Sequence, residues 1–211
     1  MKIYKQKIIK ISVIVLEVSS VLLLAYLVLF PFYPMLVYKL KYEGKVEYIP
    51  YESGNASTSL EMHKKIVQNN FPEAHYDISP NRLIIPKIGV NAPIVESESE
   101  KFGLSQGAWH LPDSSSPDRG GNTVITGHRF KYLPPNNVTF YSFDKLGEGD
   151  FVSVIWNKEE YDYYIVETKI VPATEVSILE ASNEAKLTLF TCHPIYSTEK
   201  RLVVVAEPVK N

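Results

Sequence analysis

A predominantly apolar run near the amino terminus constrains the fold of this chain most. Residues 11–30 carry one charged side chain, Glu17, and four lysines precede them. A helix of about 20 apolar residues crosses a bilayer core, so the run predicts a transmembrane helix. Because a carboxylate is costly at mid-bilayer, we place Glu17 near the cytoplasmic interface and expect the span to continue towards residue 37.

A cleaved signal peptide is the competing interpretation of this run. The apolar core of a signal peptide is usually about 7 to 15 residues long and is followed by small residues. Here the sequence Pro-Phe-Tyr-Pro follows at 31–34, which argues against cleavage. We find no second apolar stretch near the carboxyl terminus and therefore expect one anchor.

The lysines predict the orientation and the division of the chain. Four lysines precede the run and two follow it, at Lys39 and Lys41, which places the amino terminus in the cytoplasm. We expect a single-pass protein of the cell membrane: a basic cytoplasmic tail and anchor at 1–41, an extracellular linker with a short helix at 42–80, and a folded extracellular domain at 81–211. We place the helix at about 59–68 and interpret His63 and His75 as ordinary surface histidines.

The folded part is predicted to be rich in β-strands. From residue 42 on there are 16 basic and 23 acidic groups, which argues against a nucleic-acid binder. Short runs rich in Val, Ile and Tyr alternate with Gly and Pro turns, as in an all-β fold. The runs are 82–85, 90–95, 123–126, 151–156, 161–171, 187–191 and 202–206. Seven or eight strands predict a closed barrel.

The only cysteine, Cys192, ends an apolar run with β-branched residues at 188–192. One cysteine cannot form a disulfide within the chain and makes a poor metal site, so burial or reactivity remains. Pro194 cannot continue a ladder, so we expect the strand to end here, with the sulfur near the rim of the sheet. If the next run pairs with this strand, Arg201 places a cation beside the thiol, which favours the thiolate.

These residues resemble the sortase family. The sequence T-L-F-T-C at 188–192 matches the family's T-L-x-T-C pattern, and Arg201 stands where its second-strand arginine stands. The sequence N-T-V-I-T-G-H-R at 122–129 resembles the strand that leads to the family's catalytic histidine, here His128. The resemblance covers roughly residues 81–207. It implies an eight-stranded β-barrel with short helices and makes 81–211 the catalytic domain.

The resemblance implies a cysteine transpeptidase. Acyl transfer needs a nucleophile, a proton donor for the departing amine and donors for the oxyanion, roles that fit Cys192, His128 and Arg201 in turn. The family attacks the Thr–Gly bond of an LPXTG-like sorting signal at the carboxyl terminus of secreted proteins. An amine of a peptidoglycan precursor or of a pilin then resolves the thioacyl enzyme. Thr191 is expected either to contact substrate, through its hydroxyl or main chain, or to be an ordinary strand residue.

His110 and His193 compete with His128 as the proton donor. The T-G-H context and the resemblance favour His128. His193 adjoins the nucleophile, and neighbouring side chains on an extended strand point to opposite faces, so it is the weaker candidate.

We expect no cofactor and no metal ligands. The loop at 172–186 carries Glu175, Glu180 and Glu184 and is similar to a calcium site of the housekeeping class, but we interpret it as a solvated acidic loop. We find no Asp-Pro-aromatic lid before the barrel and no carboxyl-terminal span, which favours the housekeeping or a class D/E-like type over the pilus class.

Two other functions remain open from the sequence. A hydrolytic cysteine protease would share the thioacyl intermediate. A membrane-tethered binding domain could have kept the barrel and lost activity, because fold does not fix function. The complete set of Cys192, His128 and Arg201 argues against the second alternative.

Overall fold

The computed structural model describes residues 2–41, 81–134 and 136–209. The predicted linker and its helix at 59–68, together with His63 and His75, lie outside the described residues.

The amino-terminal run is helical, as predicted. Helix α1 (Lys2–Leu29) is followed by a 3-10 turn at Phe30–Phe32 and by α2 (Tyr33–Lys41). The turn contains Pro31, which has no backbone N–H to donate to a continuous α-helix. The stretch Ile9–Leu40 is the one helical segment among the described residues that is long and apolar enough to cross a membrane. Most of its apolar side chains are exposed, as a lipid-facing helix requires, whereas Pro34 is buried and Tyr38 is partly buried.

The remaining described residues form an eight-stranded closed barrel, which confirms the predicted fold class. The strands are β1 (Arg82–Ile85), β2 (Val90–Glu96), β3 (Ala108–His110), β4 (Asn122–Thr126), β5 (Phe151–Trp156), β6 (Glu159–Pro172), β7 (Lys186–His193) and β8 (Lys200–Pro208). Their order around the barrel is β1-β2-β3-β4-β7-β8-β6-β5. The parallel pairing of β4 with β7 and the antiparallel pairing of β7 with β8 place these three strands side by side.

Alternation of side chains fills the barrel. On β7, Leu187 and Leu189 are fully buried in the core, and Leu202 and Val204 of β8 join the same cluster. Successive residues of a strand point to opposite faces, so the residues between them face outwards. Tyr38 of α2 also packs against this core cluster.

One strand and one helix were not predicted from the sequence. β3 has only three residues, too few to show a period, and it exists because it pairs with β2 in parallel and with β4 in antiparallel fashion. The short helix α3 (Glu100–Gln106) precedes it, and the Ser99 side chain caps this helix by accepting a hydrogen bond from the Phe102 N–H.

Candidate active site

Strand register pairs Cys192 with Arg201, and the segment that follows β4 brings His128 to the other side of Cys192, so the three form one row. Cys192 on β7 lies directly opposite Arg201 on β8. On the other side of β7, Thr126 of β4 is the partner of Phe190, so the chain reaches His128 beside Cys192 two residues later. Directly opposite residues of antiparallel strands have Cβ atoms about 4.5 to 5.5 Å apart. Cys192 therefore occupies the middle of the row.

The side chains of Cys192 and Arg201 share the outer face of the barrel. Cys192 and Arg201 have the opposite parity to the core residues Leu189 and Leu202 of their strands, so both point away from the core. Cys192, His128 and Arg201 are each partly exposed. The row is thus open to a substrate that lies across the ends of β4, β7 and β8.

Gly127 lets the chain pass from the end of β4 to His128 over the core. A Cβ at this position would lie 2.7 to 2.9 Å from ring atoms of Phe140, closer than real Cβ contacts. The Phe140 N–H donates to the His128 carbonyl oxygen at 2.9 Å and secures the chain there. The glycine of the T-G-H motif is therefore required by packing against a buried aromatic ring.

Thr191 supports the site from the inner face. Its side chain is 1% exposed, and its hydroxyl donates to the Gly127 carbonyl oxygen at 2.8 Å. The hydroxyl is thus used to hold the histidine segment. Of the two substrate contacts expected for Thr191, only the main-chain contact remains a prediction.

The surroundings of His128 favour its neutral form. Burial lowers the pKa of this imidazole, and the cation of Lys131 lowers it further, while Glu100 on α3 acts in the opposite direction. The Tyr132 ring meets the imidazole edge to face, with the ring centroids 6.2 Å apart. The Tyr132 hydroxyl donates to the Ser105 carbonyl oxygen of α3 at 3.2 Å, which ties the segment after His128 to that helix.

Arg201 is anchored to the loop between β7 and β8. Its Nη1 donates to the carbonyl oxygens of Thr198, at 2.9 Å, and Lys200, at 3.1 Å. A guanidinium group carries five N–H donors, so these two bonds occupy only one of its three nitrogens. The fork is held at its loop side and retains donors for a bound oxyanion.

Sequence analysis missed a second arginine, Arg129, which is 4% exposed. Its Nη2 forms an ion pair with Asp144 Oδ1 at 2.8 Å. Its Nη1 lies 3.2 Å from the Cys192 carbonyl oxygen and 3.0 Å from His193 Nδ1. The signal was its position directly after His128, where a second charged side chain adjoins the candidate site.

His193 is held in the Arg129 network and not in the row of His128, Cys192 and Arg201. Arginine can only donate, so His193 Nδ1 accepts the hydrogen bond and cannot carry a proton there. Burial, with the cations of Arg129 and Lys200, lowers the pKa of His193.

His110 is 5% exposed on β3, and its Nε2 lies 2.9 Å from the Ser115 carbonyl oxygen. Both competing histidines thus have structural partners.

Aromatic contacts connect the loops on either side of the row. The Phe130 and Tyr196 rings lie 5.7 Å apart, joining the segment after β4 to the β7–β8 loop. Burial, followed by a hydrogen bond with Tyr196, raises the pKa of Tyr141 to about 12.

The acidic loop offers no assembled metal site within the part of the chain that the structure describes. No group of three or more His, Cys, Asp or Glu side chains there could hold a metal ion. Glu175 instead accepts a hydrogen bond from the Ser177 N–H at 3.1 Å, an interaction within its own turn.

Comparison with known proteins agrees with this geometry. Residues 83–209 match the family model described as Sortase domain. Sortase D of Bacillus subtilis is 34% identical over 131 residues, and the alignment covers 60% of this chain and 62% of Sortase D. This chain therefore spans less than two thirds of that relative's length.

Solved structures show the same fold. Sortase C2 of Group B Streptococcus Pilus Island 1 is 33% identical with a TM-score of 0.55, over 62% of this chain and 73% of that chain. Sortase E1 of Streptomyces coelicolor, solved with a tripeptide in its active site, is 26% identical with a TM-score of 0.55, over 62% of this chain and 87% of that chain. The chain belongs to the sortase family.

Proposed function

We propose that this chain is a membrane-anchored cysteine transpeptidase that cleaves an LPXTG-like sorting signal between Thr and Gly and transfers the acyl group to an amine. The observation that carries the proposal is the row of His128, Cys192 and Arg201, formed by the segment after β4 and by the adjacent strands β7 and β8, in a chain of the sortase family. A thiol between an imidazole and a guanidinium group has the groups that acyl transfer needs.

In the first step, the Cys192 sulfur attacks the carbonyl carbon of the substrate threonine. The carbonyl oxygen becomes an oxyanion, and the free donors of Arg201 stabilise it. The C–N bond to glycine then breaks, and the departing amine takes a proton from His128. The products are a thioester on Cys192 and the released glycine-containing fragment.

The electrostatics of His128 suit both halves of this step. Burial lowers the pKa of His128, so the free protein holds a neutral imidazole that can accept the thiol proton as the sulfur attacks. The same proton then passes to the leaving amine. One residue thus acts first as base and then as acid, without net proton uptake.

In the second step, an acceptor amine attacks the thioester carbonyl carbon. The C–S bond breaks and a new amide bond forms, while His128 takes the proton that the amine loses and passes it to the departing Cys192 sulfur, which restores the thiol for another cycle. We propose secreted proteins with a carboxyl-terminal sorting signal as donors, and an amine of a peptidoglycan precursor or of a pilin as acceptor. We further propose that the main chain of Thr191 contacts the peptide next to the nucleophile.

We propose that the reaction takes place on the extracellular side of the cell membrane, close to its surface. The stretch Ile9–Leu40 is long and apolar enough to cross the bilayer. The lysines before it favour a cytoplasmic amino terminus. A single anchor would then hold the catalytic domain on the outside. Lipid-linked acceptors on the same surface would have a raised effective concentration at the site.

The proposal is tested with labelled sorting peptides and a titrated amine, read by mass spectrometry. Oligoglycine, diaminopimelate-type and lysine amines serve as acceptors, and Cys192→Ala serves as the inactive control. We expect ligated peptide to increase with amine concentration at the expense of hydrolysed peptide, with ping-pong kinetics. Brisk hydrolysis without ligation for every acceptor would indicate a protease, and absence of cleavage would indicate a binding domain.

A further inference from the structure

Arg129 connects three segments that meet at the reacting groups. It follows His128 directly in the chain, it donates to the Cys192 carbonyl oxygen at 3.2 Å, and its ion pair with Asp144 spans 2.8 Å. A further contact, from Nε to the Tyr141 carbonyl oxygen, measures 3.4 Å. One buried side chain thus joins the histidine segment, the end of β7 and the loop before β5.

This connection replaces a β-ladder that has ended. The paired residues of β4 and β7 stop at Thr126 and Phe190, so His128 and Cys192 lie beyond the last pair. Past that point, the hydroxyl of Thr191 holds Gly127 at 2.8 Å, and Arg129 holds Cys192. Without Arg129, the segment that carries His128 would lose its tie to the main chain of the nucleophile.

The charge of Arg129 is appropriate to this position. A buried cation must be paired and hydrogen-bonded, and Asp144, the Cys192 carbonyl oxygen and His193 Nδ1 satisfy it in different directions. A planar fork can meet these directions together, whereas the ammonium group of lysine is a compact point charge on a flexible stem.

We propose that Arg129 is a positioning residue that keeps His128 and Cys192 in register for proton transfer. The expected change in kcat rests on the proposed function, whereas the expected change in the reactivity of the Cys192 thiol does not. Misplacement of reacting groups by about 1 Å can cost about 100-fold in rate. Loss of Arg129 therefore lowers kcat, while peptide affinity, which depends on other surfaces, is retained.

The kinetic test uses the full chain in detergent micelles, with sorting peptide as substrate. Arg129→Met removes the guanidinium contacts, and Arg129→Lys keeps the charge. We expect Arg129→Met to lower kcat about 10- to 100-fold with KM within about 2-fold, and Arg129→Lys to recover part of the loss. Asn122→Ala is the matched control, because it removes buried hydrogen bonds at the other end of β4.

Assays are run well below the unfolding temperature of each variant, so that lost stability is separated from lost positioning. A kcat of Arg129→Met equal to that of Asn122→Ala would overturn the proposal, because Arg129 would then only stabilise the fold. If Arg129→Met does not fold, Arg129→Lys is judged by the same comparison.

A second test does not depend on a sorting peptide. The rate of Cys192 alkylation by iodoacetamide is measured in a double-mutant cycle of His128→Gln and Arg129→Met. We expect the His128 substitution to change the rate about 10-fold in the parent chain and less than about 2-fold in Arg129→Met, because the two groups are then no longer held together.

Equal effects of the His128 substitution in both backgrounds, or none in the parent, would overturn the positioning role. A chain that turns over no peptide but shows the expected cycle would contradict the proposed function and leave the inference on Arg129 standing.

Discussion

Strands β4 and β7 carry polar side chains at both ends of their pairing, and the two ends use them differently. At the amino-terminal end, Asn122 is 2% exposed; it donates to the Ile178 and Glu180 carbonyl oxygens and accepts from the Thr188 hydroxyl at 2.7 Å. At the carboxyl-terminal end, His128 and Cys192 are partly exposed in the outer row. The polar side chains at the first end form buried hydrogen bonds, whereas those at the second end remain accessible to solvent.

The largest effect on activity is expected from Cys192→Ala, at the carboxyl-terminal end of the pairing. The substitution removes the nucleophile, so peptide turnover should fall to background. Because the side chain is partly exposed, the free energy of unfolding should change by about 0.5 kcal/mol or less. Mass spectrometry of peptide products and denaturant unfolding measure the two quantities. Cleavage retained by this variant would remove Cys192 from the mechanism.

Arg201→Lys tests whether Arg201, at the same end, stabilises the oxyanion. The positive charge remains, but a flexible ammonium group does not reproduce a planar fork aimed at an oxyanion, so kcat/KM should fall about 100-fold. Steady-state kinetics with a labelled sorting peptide measure the loss. Near-normal turnover would mean that Arg201 acts through the charge alone or through its bonds to the Thr198 and Lys200 carbonyl oxygens.

Asn122→Ala tests the amino-terminal end of the pairing between β4 and β7. The substitution leaves buried carbonyl oxygens and the Thr188 hydroxyl without a partner, so the free energy of unfolding should fall by about 2 kcal/mol. Turnover at a temperature where the variant is folded should stay within about 2-fold of the parent. Denaturant unfolding and peptide kinetics test the two expectations together. A loss of kcat larger than the loss of folded protein would show that the two ends are coupled.

The smallest effect concerns pH. The pKa values of His128 and His193 lie below the ordinary value of 6.5, so between that value and the lower folded values the unfolded chain binds more protons than the folded chain. Stability from this source is fully present above about pH 6.5 and decreases as the pH falls through the folded pKa values. Denaturant unfolding at about pH 7.5 and about pH 5.5 should show a weaker pH dependence in His128→Gln than in the parent. An unchanged dependence would contradict the lowered pKa of His128.

The same contrast explains which parts of the site were predicted from the sequence. His128, Cys192 and Arg201 could be predicted as candidates because each lies in a short local pattern at one end of a strand-like run. Arg129 was passed over because its partners Asp144 and Cys192 lie 15 and 63 residues away in the chain. Thr191 could be read either way, since alternation alone does not say which face of a strand is the inner one.

The fold divides in a similar manner. Strands with strong runs of apolar residues, such as β5 and β8, were predicted close to their observed bounds. Strand β3 was missed because three residues show no period, and the ladders of its neighbours determine it.

The sequence alone determined the apolar helix and the strand runs, and it predicted the three candidate reacting side chains, because hydrophobic length, alternation and motif are local properties of a chain. Only the tertiary structure decided that β4 lies in parallel beside β7, that Cys192 faces outwards between His128 and Arg201, and that Arg129 is buried beneath them. These features depend on contacts between segments that are distant in the chain, and such contacts form only when the barrel closes.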